Sequence, residues 1–172
     1  MAYFGACTGA GVASGTTGNN DASFLFWRAY TCPDTGTQHL SMLESMVNSN
    51  GATDVDIRLG IYNSAGTALL AQTGVIRLAT SSTDTWQGEA VSVDLVGGTD
   101  YILAWTVKAG TGAYTTHADE TRSDGSIKDT DYTAGLPTPL PAPIGTYVMY
   151  PIRAYVEAEG GAVDSNFIFS RW

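Results

Sequence analysis

Positive charge is scarce in this chain. Eight lysines and arginines stand against 17 aspartates and glutamates, for a formal charge of −9. Binding to nucleic acid rests on cationic contacts to phosphate, and docking on an anionic membrane needs the same cations, so no nucleic acid and no membrane is expected as a partner. Long apolar runs are missing as well; none approaches the roughly 20 residues of a helical membrane span. The opening residues, MAYFGACTGAG, hold no basic stretch followed by an apolar one and do not read as a secretory signal. The expectation is synthesis in the cytoplasm without export, with an extracellular location as the alternative. Cysteine is limited to Cys7 and Cys32, too few for a disulfide scaffold and without the CxxC spacing of a zinc site. They read either as two reduced thiols or as one bridge tying the N-terminal segment to the first strand.

Catalytic motifs are also wanting. GxSxG, HExxH, phosphate-loop and dinucleotide patterns do not occur. The two histidines, His39 and His117, are far apart. A Ser-His-Asp triad need not leave a local motif, but nothing singles out a serine. Glycoside hydrolysis needs two facing carboxylates, and Glu44 is the only acid inside an apolar stretch. The expectation is a protein that is not an enzyme and carries no cofactor; a small hydrolase using Glu44 or His117 is the second alternative. The run HADETRSDGSIKDTDY is rich in oxygen ligands of the kind calcium takes. Its spacing does not match a calcium-loop pattern, and a solvated acidic loop is the ordinary reading. No metal is assigned; Asp119, Asp124, Asp129 and Asp131 are the residues a calcium ion would use.

What is present is strand pattern. With 44% apolar and 15% charged residues in 172, the chain reads as one globular domain. In DVDIRLGIYN, Val55, Ile57, Leu59 and Ile61 fall on one face and Asp54, Asp56, Arg58 and Gly60 on the other, as in a half-buried antiparallel strand. NSAG (63–66) is a turn with glycine available for a positive φ. FLFWRAYTC (24–32) has bulk on both faces. HLSMLESMVN (39–48) is the most helix-like stretch by composition, but SNGATD cuts it short. GVIRLAT (74–80) follows. In EAVSVDLV (89–96), Val91, Val93 and Leu95 point inward. In YILAWTVKAG (101–110), Tyr101, Leu103, Trp105 and Val107 share a face. YVMYPIRAYVEA (147–158) alternates through Val148, Tyr150, Ile152, Ala154 and Val156, and Pro151 marks an edge or a bulge. Strands about ten residues apart with turn signals between them predict an all-β antiparallel sandwich. Three regions stand outside that rhythm: an arm (1–22), a long loop (111–146) within the sandwich of residues 23–158, and an apolar tail (159–172).

The run from His39 to Val107 resembles jelly-roll β-sandwich domains, carbohydrate-binding or galactose-binding-like in type, found in exported bacterial proteins and in virion proteins of tailed phages. IRLGIYNSAGTALLAQTG, VSVDLVGGTDYILAW and the closing RAYVEA carry the resemblance. It implies a single antiparallel β-sandwich of jelly-roll type and transfers no catalytic residue, since such folds host many functions. Phage virion proteins are made without signals and leave by lysis. The resemblance therefore implies a non-enzymatic virion protein: a head decoration (cement) protein, or else a tail or fibre component. Its partners would be capsid or tail proteins and copies of itself, as a homotrimer. The assembly contacts expected are Tyr3 and Phe4 in the arm, Pro137, Pro139 and Pro141 in the proline-rich stretch, and Phe167, Ile168, Phe169 and Trp172 in the tail. The alternative is a glycan-binding module whose Trp86, Tyr114, Tyr132 and Tyr147 stack on sugars of a cell surface; the ordinary reading of Trp86 is a cap on the end of the sandwich.

Overall fold

The computed structural model describes residues 2–5, 23–49, 55–78, 86–108, 114–116, 124–128, 130–145 and 151–158. Among them there is no helix. In chain order the strands are β1 (Ala2–Gly5), β2 (Phe24–Thr31), β3 (Thr37–Ser45), β4 (Val47–Ser49), β5 (Val55–Asn63), β6 (Leu69–Gln72), β7 (Ile76–Leu78), β8 (Gln87–Val96), β9 (Asp100–Lys108), β10 (Tyr114–Thr116), β11 (Gly125–Lys128) and β12 (Ile152–Ala158). One antiparallel sheet runs β1-β12-β3-β8. The other runs β11-β2-β9-β5-β6, with β7 also on β5, while β4 and β10 form a separate two-stranded ribbon.

The two sheets pack face to face as an all-β sandwich. The faces that alternation assigns to the interior supply its core: Val55, Ile57, Leu59 and Ile61 from β5, and Tyr101, Leu103, Trp105 and Val107 from β9. Trp105 meets Phe26 edge to face with ring centroids 5.1 Å apart, an arrangement the aromatic quadrupole favours. Across the sandwich stand Leu40, Leu43, Leu95, Ile152, Ala154 and Val156. The NSAG turn closes with Gly66 at a φ of 70°, while the Asn63 side-chain oxygen accepts the backbone N–H groups of Thr67 and Ala68. β12 starts directly after Pro151, whose carbonyl accepts a 2.6 Å hydrogen bond from the Ser45 hydroxyl. The Cys32 thiol is buried and free, its pKa pushed up by burial and by Asp34; Cys7 lies outside the described residues.

On the far side of the six-stranded sheet the structure departs from the sequence expectation. β5 is not half-solvated. Residues 130–145, the last part of the long loop, fold back over that face as a strap. Leu136 is buried there, and Tyr132 and Leu140 pack beside it on Leu25, Trp27, Tyr62, Ile102 and Ala104. This cover explains why β2 is bulky on both faces: Phe24 and Phe26 fill the inter-sheet core while Leu25 and Trp27 lie under the strap. The polar residues of β5 and β9 become its anchors. Arg58 donates from Nε to the Thr133 carbonyl at 2.7 Å and from Nη1 to the Thr73 carbonyl at 2.8 Å. The Tyr62 hydroxyl donates to the Pro137 carbonyl at 2.7 Å, and burial, with Tyr132 nearby, holds that phenol well above its ordinary pKa. Lys108 pairs with Asp131 at 3.0 Å, and the Leu140 N–H reaches the Gly66 carbonyl at 2.8 Å.

Two outcomes follow from this seat. Leu136→Ala removes the strap's buried anchor and should lower the unfolding free energy by about 2–5 kcal/mol, read as a reduced urea midpoint. The second concerns acid. Burial raises the Asp131 pKa, but hydrogen bonds from Thr133 and Lys108 outweigh it and hold the carboxyl below its usual value. A depressed folded pKa contributes stability that is present above the ordinary carboxylate value of about 4 and is lost as pH falls through the folded value. The urea midpoint should therefore fall with acid below about pH 4, and fall less steeply in Asp131→Asn than in the unmodified protein.

Candidate functional site

An irregularity in β3 creates the most distinctive surface of the molecule. Leu40 and Leu43 are both fully buried although three residues apart, a spacing a regular strand does not permit. The register slips between Leu40 and Met42 against β8, and opposite the same point between Tyr155 and Val156 of β12. A bulge gives one strand an extra residue and kinks it locally. Here it leaves two consecutive side chains, Ser41 and Met42, half-exposed on the outer face of the four-stranded sheet. The three-residue interval between Leu40 and Leu43 in HLSMLES is the trace of this bulge.

Beside the bulge lies a hollow of about 250 Å³ lined by Ser41, Met42, Glu44 and Tyr155. Tyr155 stands opposite Met42 in the ladder, and Arg153 opposite Glu44. Arg153 holds Glu44 through Nε and Nη2, both at 2.8 Å from Oε2. Their side chains are only 17% and 15% exposed, so the pair is shielded more than an ordinary surface ion pair. The same guanidinium lies 3.7 Å from the centroid of Trp86, 5.1 Å from Tyr155 and 5.5 Å from Tyr3, within cation–π range of all three. The Tyr3 and Tyr155 rings are 5.6 Å apart. Burial and the nearby Glu44 carboxylate raise the Tyr155 pKa. Gly88 faces Glu44 from β8; a Cβ there would collide with the Leu43 carbonyl and the Glu44 side chain, so glycine is what lets the edge strand approach the cluster.

A second constellation sits further along the same face. Ser92 Oγ is 3.5 Å from His39 Nε2, and His39 Nδ1 is 2.8 Å from Asp94 Oδ1. The connectivity is that of a Ser-His-Asp triad. Its setting differs from a working one, where the carboxylate is buried and donors await an oxyanion. Here the His39 and Asp94 side chains are 41% and 62% exposed, and the serine contact is at the outer limit of a hydrogen bond. Asp94 faces His39 across the ladder and Ser92 is two residues along on the same side, so the strand pleat alone produces the alignment.

The structure scatters most of the residues singled out from sequence. Trp86 directly precedes β8 and joins the Arg153 cluster. Tyr132 is on the opposite outer face, within the strap itself. Tyr114 belongs to β10, and Tyr147 lies outside the described residues. Tyr3 is exposed beside Arg153, whereas Phe4 enters the core. Pro137 and Pro141 are half-buried in the strap and Pro139 is exposed. Phe167, Ile168, Phe169, Trp172, His117, Asp119 and Asp129 lie outside the described residues. Asp124 accepts the Ala29 N–H at 2.7 Å, while Asp131 pairs with Lys108. Ala29 faces Ile102, six residues from Lys108 on β9, so the two aspartates are anchored roughly 20 Å apart at ~3.3 Å per strand residue. Among the described residues no three His, Cys, Asp or Glu side chains gather as a metal would need.

Sequence reasoning did not select Arg153, Tyr155, Ser41 or Met42. The inward alternation of Ile152, Ala154 and Val156 implies that Arg153 and Tyr155 point outward together, which is the signal available. Comparison with family models, with curated proteins and with solved structures finds no match for this chain. For the Ser92–His39–Asp94 alignment the expected outcome is that p-nitrophenyl acetate is hydrolysed at the same rate by the unmodified protein and by Ser92→Ala. A loss of turnover in the variant would make Ser92 a nucleophile.

Proposed function

We propose that the chain is a non-enzymatic structural protein of a phage virion, most fittingly a head decoration protein, with a tail or fibre component next. One observation carries this reading: the places where the chain leaves the sandwich. β1 and β12 are antiparallel neighbours, with Gly5 opposite Arg153 and Ala2 opposite Val156. The chain after Gly5 departs at the pole of Ile152 and Ser45. The chain after Ala158 departs at the other pole, beside Gln38. Residues 6–22 and 159–172 therefore start from opposite poles of the sandwich, and Pro139 of the proline-rich segment stays exposed between them in sequence.

A particle component needs a body that keeps its shape and peripheral segments that reach neighbours on more than one side. The strap and the filled core supply the first. The second is supported by the sequence of the tail, whose Phe167, Ile168, Phe169 and Trp172 are costly to leave in water. At the tail's pole Val96 is 59% exposed, which adds an apolar foothold there. Neighbouring capsid or tail proteins and copies of this chain, in a homotrimer, are the proposed partners.

Deleting residues 159–172 tests the reading. The truncated protein should keep its urea midpoint and its β-rich circular dichroism yet fail to enter particles in a complementation assay. Normal incorporation of the truncated protein would remove the tail from the account.

A further inference from the structure

We infer that the open edge of β8 is a docking surface for the same strand of a second copy, paired antiparallel about a twofold axis at Ser92. The inference rests on this edge strand and not on the virion reading. In a threefold assembly the contact would join one trimer to another.

Edge length comes first. Among the described residues the two sheets end on β1 and β8, and on β11 and β6. β1, β6 and β11 have four residues each, whereas β8 has ten. Short edge strands are one means by which proteins avoid pairing with other chains; lysine, proline and inward-pointing charge are others. β8 reads QGEAVSVDLV and has neither lysine nor proline. Its one inward charge, Glu89, is engaged by the Gly74 N–H at 2.7 Å. The backbone geometry then shows which groups the edge offers. The Gly97 N–H bonds the Gly36 carbonyl at 2.7 Å, just beyond the Thr37–Val96 pair. That is the mark of a widely spaced pair, whose own N–H and C=O groups turn away from the neighbouring strand. The Val96 N–H is accordingly met by the Tyr101 hydroxyl at 2.8 Å. By alternation Asp94, Ser92 and Ala90 present their backbone groups to the same open side, where no described strand pairs with them.

Those three residues are complementary to themselves. With Ser92 opposite Ser92 of the second copy, Ala90 stands opposite Asp94 of that copy. Every outward N–H and C=O of the three then pairs, for roughly six hydrogen bonds. On the inward row Val91 meets Val93 of the second copy. Both valines are half-buried at the margin of the core, and pairing would close them off from water. No like charges face each other in this register, whereas an axis at Asp94 would set two carboxylates opposite each other, which destabilises a ladder. The flank adds to the contact. The Glu89–Gly74 bond holds the segment after β6 beside β8. There Val75 is 43% exposed, and Leu70 on the neighbouring edge strand 36%. The open edge and these apolar side chains lie on one side of the sandwich, which is what a second copy would cover. The formal charge of −9 opposes the approach of two copies; salt screens that repulsion.

The test is light scattering of the full chain over a concentration series at about 0.15 M salt, with amide hydrogen exchange on the same samples. One ladder and its flank make a small interface, so association is expected at about 10–100 µM. The mass should rise to an even number of copies: two, or six where the threefold assembly also forms. The Ala90, Ser92 and Asp94 amides should gain protection with concentration. Ser92→Cys in a Cys7→Ser background should give a disulfide-linked dimer on oxidation, because the Cα atoms of a hydrogen-bonded pair are about 5.5 Å apart. Ser92→Pro removes an N–H that the β3 ladder does not use and should weaken association at least about tenfold with circular dichroism unchanged. Four results overturn the inference. They are a mass that stays at one or three copies, protection of the three amides that does not depend on concentration, a Ser92→Cys protein that forms no linked dimer, and undiminished association in a folded Ser92→Pro protein. The first of these leaves the virion reading untouched, since that reading does not use β8.

Discussion

The six-stranded sheet has apolar side chains on both faces, and that constraint shapes the rest of the molecule. β2 and β9 present Phe24, Phe26, Leu103 and Trp105 to one side and Leu25, Trp27 and Ile102 to the other. One face is served by the four-stranded sheet. The second would be left wet without a further layer, and the chain supplies one from its own long loop. Because the strap has little regular structure, its carbonyls need donors, and these come from the sheet beneath: Arg58 and Tyr62 reach up to Thr133 and Pro137. A buried apolar seat and a set of polar tethers thus meet on the same surface, so the polar face of β5 is used inside the fold rather than in water.

Much of the sandwich was legible in the sequence because strand alternation is a local property. The inward faces of β5, β8, β9 and β12 could be read from a few residues each. What was not legible depends on long-range partners. FLFW announced a strand buried twice without naming what covers it. The strap looked like surplus loop because proline and glycine mark irregular backbone equally well in a free loop and in one packed on a sheet. The bulge at Ser41 was hidden in another way: inserting a residue changes the inward spacing from two to three, so strict alternation does not mark Leu40 and Leu43 as sharing a face.

The surface around Tyr155 shows the same division. Trp86 was noticed as an aromatic before a strand and Glu44 as an acid in an apolar stretch, yet their relation was hidden. Arg153 brings them together, and its place opposite Glu44 is a matter of ladder register, which no local pattern reveals. The apparent triad on β3 and β8 carries the complementary lesson. A ladder aligns side chains so regularly that catalytic connectivity can arise from the pleat alone; burial and oxyanion donors distinguish a working site from a coincidence of spacing.

The pairing of β1 with β12 also has a mechanical side. Ala2 and Ala158 lie toward the same pole, at adjoining ends of two antiparallel strands. A tensile load applied between them would pull across the ladder rather than along it. The β1–β12 hydrogen bonds would then open one after another from that pole, at low force, until β1 came free at Gly5. The load would next reach the interior strands, which are locked on both sides. The edge strand is thus the compliant element, a short length of slack in series with a stiff body.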